Sequence, residues 1–429
     1  MTEELTQIYL DILAEELVPA MGCTEPIAIS YCAAKARSVL GGLPDRLTVG
    51  CSGNIIKNVK SVVVPHTGGL KGIEAAAAAG IVAGREDREL EVISEVTPEE
   101  IEAIRDYLAH TPIRVLPMRD CDKLDILITA HRGQDMAAVR ISRHHTNISY
   151  IERNGQVLFC EGQVTEEGGR RADTSRLTVA DIIEFADTVD VSRVSALLDR
   201  QLEYNLAIAG EGLKGDWGAN VGSVILASGH NDVRTRAKAM AAAGSDARMS
   251  GCELPVVINS GSGNQGITVS VPVAEYAKAI GADKQTLYRA LLVSNLLAVH
   301  VKTGIGPLSA YCGAISAGCA AGCGIAYLEG GRIDVIAHTL VNSLATVSGV
   351  VCDGAKPSCA AKIAAALDAA FLGYDMYRNG QQFYGGDGIV SKGVENTIAN
   401  IARLGSDGML ETDQEILRIM TGCGAAETV

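Results

Sequence analysis

The sequence predicts an α+β protein with a mainly helical domain rich in small residues and a small inserted domain of the α/β-sandwich type. The 429 residues include 47 glycines and recurrent alanine runs, whereas aromatic residues make up only 4%. Hydrophobic residues make up 47%, so a large core is available, and small side chains let its helices pack closely. From residue 90 onward, short runs of strand character interrupt the helical pattern.

The predicted domain boundaries follow this change of pattern. Residues 1–87 and 178–429 are expected to form the helical domain, and residues 88–177 the inserted α+β domain with a polar linker at its end. In the insertion, Thr97 is placed to cap a helix over 98–110, because Pro98 suits a first helical position. We predict strands over residues 90–96, 113–118, 125–132, 135–142, 147–154 and 156–162, with a hairpin turn at Asn154-Gly155.

Helices account for most of the remaining chain. Residues 3–17 repeat apolar side chains at helical spacing, and Thr24 is expected to cap a helix that opens near Pro26. A valine run at 62–64 predicts a short strand. Further helices are predicted over residues 71–83, 178–188, 192–211, 234–244, 273–281, 283–301, 309–328, 332–347, 359–372 and 391–404. The glycine-rich segments between them, where ligands are expected, are 213–223, 259–266 and 383–390.

Charge and hydropathy exclude several kinds of partner. The formal net charge of −14 argues against nucleic acid and anionic membranes, which both favour a basic surface. The N-terminal segment is acidic and amphipathic, unlike a signal peptide, and the most apolar stretch, 290–301, is too short to span a membrane. We therefore expect a cytoplasmic protein with a small-molecule partner and no membrane or nucleic-acid partner. The sequence leaves the oligomeric state open, with a homo-oligomer among the options.

Five of the twelve cysteines lie between Ile305 and Lys362. No Cys-x-x-Cys pair occurs; instead Cys312 is followed 40 residues later by Cys352 and, 7 residues further, by Cys359. Three thiolate ligands with an empty fourth position would suit a catalytic iron–sulfur or metal site. The alternative is that these are small apolar core residues, which is our interpretation for Cys319, Cys323, Cys32, Cys51, Cys121, Cys160 and Cys252.

Cys23 is predicted to lie just before a helix N-terminus, where the helix dipole lowers a thiol pKa and favours thiolate. The alternative is a cysteine that packs at a turn. Downstream, Asn54, Lys57 and Asn58 are polar groups able to hold the carboxylate or amine of an amino acid, or else parts of a solvated turn.

The segment NSGSGNQG at 259–266 has three interpretations. It suits a carboxylate-binding nest using Ser260, Ser262, Asn264 and Gln265, a phosphate cup of the pyridoxal-phosphate type, or a flexible turn. We favour the nest, because the strand–helix alternation of the usual pyridoxal lyases is missing. His144 and His145 are not expected to share a metal, since neighbouring strand residues point to opposite faces.

Five segments together resemble the alpha-chain domain of the iron–sulfur L-serine dehydratases and, more closely, its single-chain relatives, the L-cysteine desulfidases. They span most of the chain in the family's order. The segments are MGCTEP at 21–26, CSGNIIKNVKSVVVP at 51–65, NSGSGNQG at 259–266, GPLSAYCGAISAGC at 306–319 and VCDGAKPSC at 351–359.

The resemblance implies a 4Fe–4S cluster held by Cys312, Cys352 and Cys359, with one iron left without a protein ligand. It implies elimination of sulfide from L-cysteine, with Cys23 as the base that takes the Cα proton. Glu25, Lys57 and His66 are alternatives for that base. In some relatives a cysteine near the C-terminus caps the cluster; here Cys423 is in that position, and a free thiol on the tail is the simpler interpretation.

Two other functions remain open on the sequence. An L-serine dehydratase would carry out the same elimination with hydroxide as the leaving group, although the Ser-Ser-His-Thr motif of those enzymes is missing here. A non-catalytic iron–sulfur sensor would have four protein ligands to its cluster and no turnover.

Overall fold

The computed structural model describes residues 1–161, 172–228, 230, 232–306 and 308–421. Cys423 lies outside the described residues. The described helices confirm an α+β protein in which helix predominates. No helix among them combines the length and the apolar character needed to cross a bilayer. The helices are α1 (Glu3–Glu16), α2 (Thr24–Leu40), α3 (Gly53–Val59), α4 (Gly72–Ala83), α5 (Pro98–His110), α6 (Val179–Thr188), α7 (Ser195–Lys214), α8 (Val221–Ser228), α9 (Val233–Met249), α10 (Gly263–Ile280), α11 (Lys284–Thr303), α12 (Gly313–Leu328), α13 (Ile333–Val347), α14 (Ser358–Arg378), α15 (Val394–Arg403) and α16 (Leu410–Thr421).

The strands form two sheets. A mixed sheet has the order β3-β2-β4-β5-β6-β7, in which β2 and β3 are parallel and the other neighbours antiparallel. The second sheet pairs β1 with β8 in antiparallel fashion. The strands are β1 (Pro19–Met21), β2 (Arg46–Cys51), β3 (Ile113–Pro117), β4 (Asp125–Arg132), β5 (Asp135–Ser142), β6 (Ile148–Arg153), β7 (Gln156–Cys160) and β8 (Pro255–Val257).

The larger sheet draws on both sides of the predicted domain boundary at residue 88. Strand β2 comes from the segment assigned to the helical domain, yet it lies inside the sheet between β3 and β4. Helix α2 covers one face of this sheet by packing against β4 and β5. The inserted domain therefore stays a prediction, and its sheet is completed by the N-terminal part of the chain.

Two predicted strands are wrong. Residues 90–96 form the end of a 3₁₀ helix (Glu86–Glu91) followed by turns, and residues 62–64 contribute only an isolated bridge between Val63 and Lys71. The apolar residues that suggested the first strand, including Val92 and Ile93, are buried beneath α2. Their alternation reflects packing on a helix, because no neighbouring strand among the described residues pairs with them.

Helix α10 begins ten residues before the predicted start at residue 273. The predicted helix started directly after Pro272, but Pro272 lies inside α10, where it removes one backbone hydrogen bond. Thr268 and Ser270 donate to carbonyl oxygens one turn earlier, and the helix is buried along most of its length. Burial on both sides therefore outweighs the cost of the proline. Helices α3, α8 and α16 were not predicted.

Small residues allow α12 and α14 to pack closely where they cross. A Cβ atom at Gly318 would lie 2.5 Å from the Cβ of Ala366, and one at Gly322 would lie 2.6 Å from that of Ala370. Such distances leave no room for a larger side chain, so the two helices approach closely enough for backbone and methyl groups to interdigitate. The N-terminal ends of these two closely packed helices carry Cys312 and Cys359, two residues of the candidate site.

Candidate functional site

A cavity of about 100 Å³ lies where several helices begin, and all twelve predicted site residues line it. They come from five separate parts of the sequence. The residues are Cys23, Glu25, Asn54, Lys57, Asn58, Ser260, Ser262, Asn264, Gln265, Cys312, Cys352 and Cys359.

Among the described helices, four that begin at this cavity have no side-chain cap. The N-cap residues are Cys23 for α2, Ser262 for α10, Cys312 for α12 and Pro357 for α14, and none makes a side-chain capping hydrogen bond. Uncapped N–H groups and the positive ends of helix dipoles favour anionic ligands. The prediction of Thr24 as the cap was wrong: its hydroxyl donates to the carbonyl of Gly261 instead, at 3.0 Å, which ties α2 to the loop before α10.

The Cys312 and Cys352 thiols meet because their loops pair as a short β-bridge. Tyr311 and Val351 are bridge partners; the Cys312 N–H donates to Val350 and the Cys352 N–H to Ala310, at 3.2 and 2.6 Å. The two thiols are hydrogen-bonded to each other.

Cys359 reaches the same cavity from the first turn of α14. Its thiol donates to the carbonyl of Gly354 at 3.7 Å. Gly354 has φ +92°, and a Cβ there would lie 2.7 Å from the carbonyl oxygen of Lys57. Glycine is therefore required for this loop to pack against α3.

The three thiols differ in their protonation. The hydrogen bond from Cys312 lowers the pKa of Cys352 against the effect of burial, and Lys57 adds to the lowering. The same hydrogen bond, together with burial, raises the pKa of Cys312 well above its ordinary value. Burial raises the pKa of Cys359. Cys352 is thus the thiol poised to be a thiolate, the form that binds metal.

Sulfur ligands of this kind suit soft metals and iron–sulfur clusters. Among the described residues, no three His, Cys, Asp or Glu side chains are grouped so that they could hold one metal ion. A polynuclear cluster makes a different demand, because each thiolate binds a different iron. Three thiols spread around one cavity fit that requirement.

Cys23 and Glu25 form a hydrogen-bonded pair on the other side of the cavity. The Cys23 thiol donates to Oε2 of Glu25 at 2.9 Å, and the Asn58 amide donates to Oε1 at 2.8 Å. Burial, and then the Glu25 charge, raise the pKa of Cys23 well above its ordinary value. The expectation that the helix N-terminus lowers this pKa was wrong, because burial beside a carboxylate outweighs the dipole.

Glu25 remains ionised at neutral pH. Burial alone would raise its pKa, but the His145 charge, the hydrogen bond from Cys23 and the Arg248 charge together lower it below the ordinary value. The pair is therefore a protonated thiol that donates a hydrogen bond to an ionised carboxylate.

Lys57 is a buried residue, with a side chain 2% exposed, and its ammonium group forms an ion pair with Asp413 of α16. The interpretation as a solvated surface lysine is excluded. Asn54 and Asn58, on the same short helix, each leave a buried Oδ1 without a hydrogen-bond partner within the described part of the chain.

The predicted nest is divided between a loop and a helix. Ser260 has φ +49° and donates to the Oδ1 of Asn259 at 2.9 Å, whereas Asn264 and Gln265 lie in the first turn of α10. The Asn264 Oδ1 and the Gln265 Oε1 are buried and have no hydrogen-bond partner among the described residues. These oxygens face the cavity as available acceptors.

The prediction from sequence missed three basic residues of the cavity wall: His145, Arg248 and Lys302. Arg248 and Lys302 are buried in helices, and burial lowers the pKa of Lys302 to about 8. Isolated basic residues in helices carry no motif, although Arg248 follows a run of small residues that predicts burial. His66, an alternative base, is not among the residues that line this cavity; it pairs with Glu253 at 3.7 Å.

A second cavity, of about 600 Å³, adjoins the first. His145, Ser260, Gly261 and Lys302 border both. The larger cavity provides space next to the thiol-lined one, with these four residues at the boundary.

Thiols, buried amides and helix N-termini around one cavity define the candidate site of this α+β protein. Residues 87–418 match the serine dehydratase alpha chain family, and the chain belongs to that family. The match begins after Cys23 and Glu25, which lie in the N-terminal part of the chain.

Similar proteins cover nearly the whole chain. A UPF0597 protein of Desulfitobacterium hafniense (strain Y51) is 61% identical over 414 residues, which are 96% of each chain. UPF0597 proteins of Lachnoclostridium phytofermentans and Treponema denticola are 51% and 47% identical, over 96% of this chain and 98% and 97% of theirs.

Proposed function

We propose that this protein is an iron–sulfur-dependent L-cysteine desulfidase, a carbon–sulfur lyase that converts L-cysteine and water to pyruvate, ammonia and hydrogen sulfide. The observation that carries the proposal is the presence in one cavity of three thiols, an acid–thiol pair and several unpaired amide oxygens. Membership of the serine dehydratase alpha chain family supports a lyase.

Cys312, Cys352 and Cys359 are proposed to hold a 4Fe–4S cluster with one iron lacking a protein ligand. Sulfur ligands, helix N-termini and the Lys57 ammonium suit a negatively charged cluster. When bound, the cluster would supply a Lewis acid that helps the substrate sulfur to leave. Such thiols must stay reduced, which agrees with the expected cytoplasmic location.

Cys23 and Glu25 are proposed to move the proton. Cys23 acts as a thiolate, its own proton having been released to solvent, and takes the proton from Cα of the substrate; Glu25 Oε2 then accepts a hydrogen bond from the thiol that re-forms. A thiol whose pKa is raised gives a strong base once it is deprotonated. Breaking the Cα–H and Cβ–S bonds gives aminoacrylate and sulfide, and aminoacrylate hydrolyses to pyruvate and ammonia.

The other cavity residues are proposed to orient the substrate. Lys57 contributes positive charge, and the polar groups of Asn54, Asn58, Ser260, Ser262, Asn264 and Gln265 hold the carboxylate and amine. Hydrogen-bonding groups held in place by helices keep the Cα–H bond near the base without further ordering.

The proposal is tested by mixing anaerobically reconstituted protein with L-cysteine and measuring sulfide, pyruvate and ammonia. Equal amounts of the three products are expected. Sulfide without matching pyruvate would rule out this elimination.

L-serine dehydratase is the second candidate, because the matching family carries that name. The two activities share every proposed step except the leaving group, so kcat/KM for L-serine and L-cysteine decides between them. A non-catalytic sensor is distinguished by Cys23→Ala, which should abolish turnover while leaving the iron content unchanged.

A further inference from the structure

Arg248 is a buried cation on the wall of the thiol-lined cavity. It is 4% exposed and lies near the end of α9. Its Nε atom has no hydrogen-bond partner, and no ion pair joins Arg248 to another residue in the described part of the chain. A guanidinium group loses much of its hydration on burial, and among the described residues the Glu25 carboxylate acts on it electrostatically without forming an ion pair or hydrogen bond with it. This arrangement indicates an anionic ligand.

The position of Arg248 restricts where this anion lies. The guanidinium is so close to Gly263 that a Cβ atom there would collide with it, so glycine is needed at the start of α10. Arg248 also acts electrostatically on Cys23 and Glu25. The guanidinium is thus beside the α10 N-terminus and on the same side as the acid–thiol pair.

Unpaired acceptors complement this cation. The buried side-chain oxygens of Asn58, Asn264 and Gln265 lack hydrogen-bond partners among the described residues, and each of these residues lines the cavity. Carbonyl oxygens accept from an ammonium group but cannot donate to a carboxylate. A cationic fork and several free acceptors around one cavity match the two charges of a zwitterionic α-amino acid.

We infer that Arg248 binds the α-carboxylate of an amino-acid substrate while the amide oxygens of Asn58, Asn264 and Gln265 accept hydrogen bonds from its ammonium group. This inference rests on the proposed function for the reaction, and it adds the residue that selects for a free carboxylate. The guanidinium suits the role because its planar fork can bind both carboxylate oxygens.

The competing role for Arg248 is to balance the charge of a bound cluster, because it also acts electrostatically on Cys359. The two roles predict different losses. A carboxylate ligand would lose amino-acid affinity on substitution with the iron content unchanged, whereas a charge-balancing residue would lose iron.

The experiment measures binding of L-alanine, which has no leaving group, by calorimetry on the reconstituted protein. Arg248→Met should weaken binding about 100-fold, since two charge-assisted hydrogen bonds are lost. Arg248→Lys, which keeps the charge without the fork, should weaken it about 10-fold. L-alanine methyl ester should bind equally to wild type and both variants, because it has no carboxylate to lose.

Arg234→Met is the matched control, since Arg234 lies on the same helix and pairs with Asp375 away from the cavity. It should leave L-alanine affinity unchanged. If Arg248→Met fails to fold, Arg248→Lys and the ester comparison carry the result.

The inference is overturned if the Arg248 variants bind L-alanine as wild type does, if they lose iron, or if wild type binds no amino acid. If wild type binds L-alanine in this Arg248-dependent way but releases no sulfide or pyruvate, the proposed reaction is wrong and the inference stands.

Discussion

Amide side chains are buried both in the core and in the cavity wall, and the two groups differ in their hydrogen bonding. In the core, Gln201 and Asn295 exchange reciprocal hydrogen bonds of 2.9 Å, and Asn259 donates to the Asn295 Oδ1 at 3.0 Å. All three are fully buried. In the cavity, Asn58 and Asn264 are also buried, but each keeps an oxygen without a partner among the described residues.

The cysteines of α12 repeat this contrast within one helix. Cys319 and Cys323 are fully buried one and two turns beyond the first turn, and burial raises the pKa of Cys319 to about 12. Cys312, at the N-cap, faces the cavity and contacts another thiol. The same residue type is a packing group in one place and a candidate ligand in the other.

This difference separates stability from function. An unpaired buried polar group costs about 1 to 3 kcal/mol, so a cluster of unpaired amides around one cavity indicates a site where a ligand supplies the missing partners. Paired amides contribute to stability, whereas the unpaired ones mark the candidate site.

The largest expected effect compares two cysteines of α12. Cys312→Ala should remove iron and lower turnover by more than about 100-fold. Loss of a residue that only hydrogen-bonds to a metal ligand costs about 10- to 100-fold, and loss of the ligand itself should cost more. Cys319→Ala should keep its iron content and its turnover and lower the free energy of unfolding by about 1 kcal/mol. Iron and sulfide analysis with anaerobic absorption spectra measures the difference; equal loss in both variants would remove the contrast.

Replacing one amide in each region should separate stability from binding. Asn295→Leu should lower the free energy of unfolding by about 3 kcal/mol, because Gln201 and Asn259 lose their partner. Asn264→Leu should cost less than about 1 kcal/mol but raise KM about 10-fold. Urea unfolding of cluster-free protein gives the first quantity and steady-state kinetics the second. A larger stability loss for Asn264→Leu would contradict this distinction.

The packing of the core can be tested with glycines. Gly318→Ala should destabilise the protein by about 1 to 3 kcal/mol, since the new methyl group would lie 2.5 Å from Ala366. A methyl group added to Gly210 on α7 would meet no described atom within 4 Å, so Gly210→Ala should stabilise by about 0.5 kcal/mol. Thermal unfolding compares the two, and a stable Gly318→Ala variant would show that α12 and α14 can separate.

Asp246 has one paired and one unpaired carboxylate oxygen. Its Oδ2 accepts a hydrogen bond from the Gly222 N–H at 3.0 Å, whereas the buried Oδ1 has no partner within the described residues. Burial raises its pKa to about 6. Between about pH 4 and 6 the native state therefore binds more protons than the unfolded state, and stability falls as pH rises. Asp246→Asn should remove about 1 to 2 kcal/mol of this fall. Urea unfolding at pH 4 and pH 7 measures it; an unchanged slope would contradict the assignment.

Much of the fold follows from local patterns. Most helices were predicted within a few residues, because amphipathic spacing and turn residues act over short distances. Residues 90–96 and the start of α10 were predicted wrongly, because packing against α2 and along α10 decided their structure. Strand β2 was missed for the same reason: its partners come from residues 113–132.

The sequence by itself determined the α+β class and the motifs from which all twelve candidate site residues were chosen. Only the tertiary structure decided that these motifs line one cavity, that Arg248 and Lys302 join them, and that the pKa of Cys23 is raised rather than lowered. The physical reason is the separation along the chain of the residues that interact. Helix propensity and capping depend on neighbours in sequence, whereas burial and charge interactions depend on residues that only folding brings together.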